Sequence, residues 1–352
     1  MPCAGRWIGC DMTDESERTD GLRRIAVVVV NYGTANLTIA GVQSVLDRTH
    51  GGRTVSVHVL DNASPGDDAA QFAAAHEARG WGGRVVLRAE TTNHGFGGGC
   101  NHLIEPLLSR GAEAPDAVML LNPDAQLAGE AVDALASALE ADPQAGFAGA
   151  GIALPDGRPV TAAFRFPSVA SEFADTLAFG PVTRRFGDRV VALPPNHPGG
   201  PVDWVAGAAV MIRAATLRET GLFDPAFFLY YEEVDLMRRA ALMGWRTLYV
   251  PEARVVHAEG AASGIRSSDR VVPRRPAYHY RSWALYHRKA RGRWGGLLAA
   301  AARLAGAGGN QFLGLLPGRR SGVAAHFGGD FLRHALAPML RSGPDPRGGE
   351  RL

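Results

Sequence analysis

The chain has 352 residues, 46% hydrophobic and 20% charged, with a formal net charge of +2. This is ordinary for a soluble globular protein, long enough for one large α/β domain with an appendage or for two domains, and it gives no case for nucleic acid as a bulk partner. The three cysteines (Cys3, Cys10, Cys100) are too few and too scattered for a disulfide framework or a zinc site, which fits a reducing cytoplasm.

Residues 1–22 lack apolar periodicity, carry Asp11, Asp14, Glu15 and Glu17, and contain no apolar stretch of signal-peptide type. A disordered extension is expected there, with Met12 an alternative start. From Arg24 the pattern becomes regular. The β-branched run 25–30 reads as a strand buried on both faces. A helix is expected over 35–46, a strand over 54–60, a helix over 67–79, strands over 84–87 and 117–121, and a helix over 129–140. Strands are also expected over 205–212 and 254–256. Strand and helix alternating with short connections predict an α/β fold with an open, mostly parallel sheet flanked by helices. No stretch reaches the ~18–20 uninterrupted apolar residues of a spanning helix. The best candidate, 297–316, is broken by Arg303, Asn310 and Gln311.

Ligands of such sheets bind beyond the carboxyl ends of the strands, and Asn31, Asp61, Asn93 and Asp124 all sit at or just past such ends. Asp61 also suits a plain turn, and Asn122-Pro123-Asp124 a turn and helix cap; the alternative for Asp124 is a carboxylate directed at a divalent cation. The glycine-dense stretch 93–101 fails the dinucleotide fingerprint, because Cys100 takes the last glycine's place. Its glycines would let the backbone approach a ligand, with helix N–H groups available to an anion. Further on, the aromatic run Phe227-Phe228-Leu229-Tyr230-Tyr231 ends in Glu232, Glu233 and Asp235, where the apolar period turns helical. Acids suit a helix N-terminus, but three behind an aromatic wall also raise the pKa of at least one member, as a general base requires.

Taken together, Val-Val-Val-Asn-Tyr-Gly (28–33), Leu-Asp-Asn-Ala-Ser (60–64), the 93–101 stretch, Leu-Leu-Asn-Pro-Asp-Ala (120–125), Gly-Ala-Ala-Val-Met-Ile-Arg (207–213), the 221–236 stretch and His257 resemble family 2 glycosyltransferases of the GT-A fold. The nearest look is to bacterial rhamnosyltransferases that build lipid-linked or cell-wall glycans. The likeness covers roughly residues 24–290. It implies that Asn31 and Tyr32 line the nucleotide pocket and that Asp61 accepts a hydrogen bond from a pyrimidine. Asn93, Gly95, Phe96, Gly97 and Asn101 would flank the donor. Asp124 would hold a divalent cation (Mg2+ or Mn2+), with His257 either beside it or structural. Two positions depart from the family's pattern. Asn122 replaces the first acid of the metal motif, and the segment 232–235 reads Glu-Glu-Val-Asp, which makes Glu233 the base, with Asp235 and Glu232 supporting it. Trp204 and Tyr231 would meet the acceptor, although Trp204 suits a core equally.

The expected activity is therefore inverting transfer of a sugar, L-rhamnose first, from a nucleoside diphosphate (dTDP-rhamnose ahead of UDP-sugars) to a glycan or polyprenyl-linked acceptor. Two competing classes are a nucleotidyltransferase, disfavoured because no basic residue follows Asn31-Tyr32-Gly33 closely, and a non-catalytic nucleotide-sugar-binding protein. The expected organisation is a glycosyltransferase domain over 23–272, its nucleotide-sugar half ending near residue 125, then a basic, aromatic helical region over 273–352 with a frayed end. Arginines alternating with Tyr278, Tyr280, Trp283, Tyr286 and Trp294 suit either an anionic membrane surface, on the inner face of the cell membrane, or a helix packed on the domain.

Overall fold

The computed structural model describes residues 21–258, 273–316 and 319–341. The expected N-terminal extension up to residue 20, the segment 259–272 and the expected frayed end beyond Arg341 lie outside the described residues. The strands are β1 (Arg24–Asn31), β2 (Thr54–Asn62), β3 (Val85–Glu90), β4 (Ala117–Leu121), β5 (Ala125–Leu127), β6 (Ala145–Ala153), β7 (Ala163–Phe164), β8 (Gly200–Val202), β9 (Trp204–Val205), β10 (Ala209–Arg213) and β11 (Arg246–His257). The helices are α1 (Ala35–Leu46), α2 (Asp68–Ala78), α3 (Gly95–Leu108), α4 (Ala131–Ala141), α5 (Val169–Leu177), α6 (Gly180–Arg185), α7 (Ala214–Thr220), α8 (Glu232–Leu242) and α9 (Ala277–Leu313). After them α10 (Phe327–Phe331) leads through one π-helical stretch into α11 (Ala337–Arg341).

The main sheet runs β3-β2-β1-β4-β10-β6-β11-β5, with β8 added on β11. Strands β3, β2, β1 and β4 are mutually parallel, as the continuous apolar run of β1 requires: it is buried from Ile25 onward. β10 runs against both its neighbours, so the expected open sheet is mixed at its centre. α3 packs over β1 and β2, and α4 over β6, β10 and β11. The strand expected over 205–212 divides into β9 and β10. Val205 pairs with Ala163 in a separate two-stranded sheet, whereas β10 joins the main one. The segment 254–256 belongs to the end of a 12-residue strand, β11, that pairs with β6, β5 and β8.

Outside the sheet, α5 and α9 form a second packing centre. Ser168 and Ser171 cap α5 reciprocally. Its Glu172 is buried between Arg303 (Nη1–Oε2 2.6 Å) and His287 (Nε2–Oε1 3.0 Å). Burial drives the Glu172 carboxyl up, and Arg303 and His287 outweigh it, bringing the group down to about 2. α9 breaks at Gly292, whose φ of 67° and ψ of −179° fall in a region essentially confined to glycine. Before the break, α9 docks on the segment leading into α8 and on α8 itself: Ser282 Oγ donates to the Leu229 carbonyl (3.0 Å) and Arg238 Nη2 to that of Ala290 (2.9 Å). Past the break it meets α5, with Asn310 Nδ2 donating to the Leu177 carbonyl (2.9 Å). Among the described residues no helix is long and apolar enough to cross a membrane.

Candidate active site

The register Asn31↔Asp61 sets these two strand-end side chains next to each other. Asn31 is fully buried. Its Nδ2 donates toward Asp68 Oδ2 (2.8 Å), Ser64 Oγ (3.1 Å) and Asp61 Oδ1 (3.3 Å), and its Oδ1 accepts from Thr34 and from Thr38 Oγ1 (2.9 Å). Among the described residues, all the hydrogen bonds to the Asp61 side chain fall on Oδ1, from Asn31, the Ser64 amide and the Ser64 hydroxyl, and none on Oδ2. Tyr32, by contrast, is exposed. Asp68 and Ser64 complete this cluster and carry no signal in sequence beyond helix-start and turn chemistry.

Asn62, one residue past Asp61, organises the glycine-dense segment. Its Nδ2 donates to Asn93 Oδ1 (3.2 Å) and the Gly95 carbonyl (3.0 Å), and its Oδ1 accepts from the His94 amide (3.0 Å). The close approaches of these glycines are to protein. A Cβ on Gly95 (φ 71°) would stand 1.9 Å from the Phe228 carbonyl oxygen, which accepts from the Phe96 amide at 3.0 Å. A Cβ on Gly97 would meet Phe223 and the Glu232 side chain. Asn101 engages both ends of its amide with the Phe223 backbone (2.8 and 3.0 Å), so it braces α3 against the aromatic loop. Phe96 lies half-buried, its ring beside Gly207 and edge-on to Phe223.

At the end of β4, Asp124 and His257 meet because β5 pairs with β11, His257 opposite Ala125. His257 Nε2 lies 2.8 Å from Asp124 Oδ1 and 3.3 Å from the Asn122 amide. The Asn122 side chain presents its Nδ2 to this nitrogen, and turning the amide over would present its oxygen instead. Two donor atoms 2.8 Å apart are close to the edge of about 3 Å between neighbouring ligands roughly 2.1 Å from an octahedral ion. The residues fit a divalent cation, with one carboxylate, one imidazole and room for an amide oxygen.

The acids of α8 sit beside this end of the sheet. The Asn122 backbone N–H donates to the Ala208 carbonyl (2.8 Å), and the neighbouring Gly207 faces the Cβ and Cγ of Glu233. Entry to α8 is strained: Tyr230 and Tyr231 both hold left-handed φ (71° and 70°), uncommon for non-glycine residues and costly at two in succession. The three acids then part company. Asp235 is buried and held by Arg239 Nε (2.9 Å) and Lys289 Nζ (2.9 Å), while Arg239 also donates to the Thr220 and Leu222 carbonyls. Glu232 and Glu233 each have an Oε2 sealed from solvent with no hydrogen-bond partner among the described residues. Burial, then the charge of Glu233, raises the Glu232 carboxyl well above its ordinary range, and burial raises Glu233. Both charges, after burial itself, push up the thiol of the buried Cys100 on α3. Trp204 stacks on Phe164 (4.0 Å between centroids) and donates Nε1–H to the Arg165 carbonyl. Tyr231 turns toward Tyr286 of α9 (5.3 Å between centroids), with burial raising its hydroxyl. The Tyr231 hydroxyl also feels the charge of Glu233, after burial and the charges of Glu172 and Arg303. Lys289, the chain's single lysine, anchors Asp235.

Comparison with known proteins agrees with this architecture. The chain is 32% identical over 221 residues to an N-acetylglucosaminyl-diphospho-decaprenol L-rhamnosyltransferase of Mycobacterium tuberculosis, a match covering 60% of this chain and 69% of the relative. A shorter stretch of 56 residues is 38% identical to the rhamnosyltransferase WbbL of Escherichia coli K12, covering 16% of this chain and 21% of that protein. The mannosyltransferase PcManGT of Pyrobaculum calidifontis, solved with GDP-Man and Mn2+, shares the fold at a TM-score of 0.50 and 18% identity, over 92% of this chain and 88% of that one. The model of the family described as glycosyltransferase like family 2 matches residues 23–294. An α/β sheet of GT-A type with acids gathered at its strand ends is thus matched by sequence over most of the chain, which belongs to glycosyltransferase family 2.

Proposed function

We propose that this glycosyltransferase is an inverting L-rhamnosyltransferase, moving rhamnose from dTDP-rhamnose, with UDP-sugars second, to a hydroxyl of a polyprenyl-diphosphate-linked glycan in cell-wall polysaccharide assembly. The relative from Mycobacterium tuberculosis supports the sugar and the acceptor class. The observation that carries the mechanism is the division among the acids of α8. Asp235 is committed to two cations, whereas Glu232 and Glu233 have sealed oxygens without partners. Glu232 is nearly closed off against Gly97 and is the member kept neutral. Glu233, half-buried and facing Gly207, is the base on this reading. As the acceptor oxygen attacks the anomeric carbon, Glu233 takes its proton and the bond to the nucleoside diphosphate breaks on the opposite side. Asp124 and His257, with Asn122, would hold a divalent cation that supplies positive charge to the leaving diphosphate. Asn31 holds Asp61 so that Oδ2 meets the pyrimidine, with Asn93 close to the donor.

Glu233→Gln keeps the shape and removes the charge. It should lower turnover by roughly 10²–10⁴ with donor affinity nearly unchanged, while Asp235→Asn acts through stability. Near-native turnover in Glu233→Gln would defeat the assignment. Calorimetry tests the donor: dTDP or UDP should bind, and Asp61→Asn should weaken it; equal affinity for GDP argues for another donor.

The catalytic unit on this reading extends past residue 272 to the break at Gly292, because the first half of α9 supplies Lys289 to Asp235; the family match to residue 294 supports this. The region beyond then lies on an anionic membrane surface. Between residues 293 and 341 six arginines stand against one acid, Asp330. One face past the break exposes Trp294 (79%), Leu298, Phe312 and Leu315 (80%). The protein should sediment with anionic vesicles and be released by salt. Binding that ignores lipid charge would count against this contact.

A further inference from the structure

A second cluster of ligating side chains lies apart from Asp124 and His257, where β3 ends and α3 begins. Glu90 closes β3, His94 caps α3, and His102 lies two turns along that helix. The imidazoles stack with centroids 4.0 Å apart and planes 25° from parallel. His94 Nε2 lies 3.8 Å from Glu90 Oε2, His102 Nδ1 lies 3.4 Å from Glu90 Oε1, and donor atoms of all three residues fall within 4.8 Å of one another. A separation of 3.8 Å is too long for a hydrogen bond. His94 Nε2 is also sealed from solvent and without a partner, which a simple His102–Glu90 pair does not explain.

Ligands about 2.0–2.1 Å from a tetrahedral centre stand about 3.4 Å apart. Glu90 Oε1 and His102 Nδ1 already have this spacing, and the three donor atoms, all within 4.8 Å of one another, reach one ion once the stacked rings of His94 and His102 turn apart. We propose that Glu90, His94 and His102 form a site for a borderline transition-metal ion of the Zn2+ class, with water as the remaining ligand. Two imidazoles and one carboxylate select such an ion over Mg2+. The partial exposure of all three side chains leaves it a way in. Backbone hydrogen bonds hold the ligands in place: the His94 amide is fixed by Asn62 and the His102 carbonyl by Arg88 Nη1 (2.7 Å). A bound ion would clamp the turn 91–94, and with it Asn93, to the end of β3. The site goes beyond the proposed transfer reaction and does not depend on it.

Co2+ alone, titrated into the full chain, tests the site through its visible absorption. An Asp124→Asn variant should still bind one equivalent with a tetrahedral-type spectrum. Adding His102→Ala or Glu90→Gln to that variant should weaken Co2+ at least tenfold, and Zn2+ should raise the melting temperature of Asp124→Asn but not of either double variant. Melting temperatures without metal show whether each variant is folded; His102 is the most exposed of the three, so its loss is the cleaner probe. Equal Co2+ affinity in Asp124→Asn and both double variants overturns the proposal, as does loss of all binding in Asp124→Asn alone.

Discussion

The strand ends and the start of α8 treat buried polar groups in opposite ways. At the strand ends Asn31 engages both ends of its amide, Asn62 links three backbone or side-chain groups, and Asp61 concentrates its bonds on one oxygen. At α8, Glu232 and Glu233 each keep a sealed oxygen without a partner, and the backbone entering the helix is left-handed twice. Buried polar groups are nearly always satisfied, so the two kinds of site mark different work. Satisfied groups hold a shape ready for a ligand. Unsatisfied acids are costly, and that cost is expected where a carboxylate must take up a proton.

The comparison yields predictions of opposite sign. The largest effect belongs to the satisfied seam between α5 and α9. Glu172→Gln leaves Arg303 buried without its counter-charge and should cost about 3–5 kcal/mol, read from denaturant midpoints. A cost below 1 kcal/mol would mean that solvent reaches the pair. Asn31→Ala, which removes one donor from Asp68 and the acceptor of the Thr38 hydroxyl, should cost about 1–3 kcal/mol and weaken nucleotide binding in the same variant. Unchanged nucleotide affinity in a folded variant would separate this cluster from the donor. The smallest effect reverses sign. The folded-state pKa of Glu232 is raised above its ordinary 4.5, so the folded chain binds more protons than the unfolded one from that pH upward, and stability falls as pH rises through the window. Glu232→Gln carries no such penalty. It should melt higher than the parent at pH 8, and the gap should close toward pH 4.5; a gap independent of pH would deny the shift.

Much of this was legible in sequence wherever the signal is local. The helix expected over 35–46 and the strand over 117–121 form over those residues, because apolar period and flanking turns set them within a dozen residues. Asn31, Asp61 and Asp124 could be marked because strand ends are readable. What could not be read were partners joined only by the fold. Glu172 finds Arg303 across 131 positions, and Asp235 finds Lys289 across 54. Neither Glu172 nor Lys289 carries a local pattern. The helical frame also misled about the acids. Spacing pairs Glu232 with Asp235 on one face, whereas the electrostatic partners are Glu232 and Glu233, since Arg239 and Lys289 draw Asp235 aside.

The break in α9 has a consequence for how the molecule can vary. A Cβ on Gly292 would touch no neighbouring atom, so space does not restrict the residue there; only its torsion angles do. α8 meets the first half of α9, whereas α5 meets both, because Glu172 joins His287 before the joint to Arg303 after it. Their relative direction is therefore held twice, by the backbone angles of residue 292 and by one carboxylate that spans the joint. To aim the C-terminal half differently against the cleft, variation must act on residue 292 and release the Glu172 clamp as well.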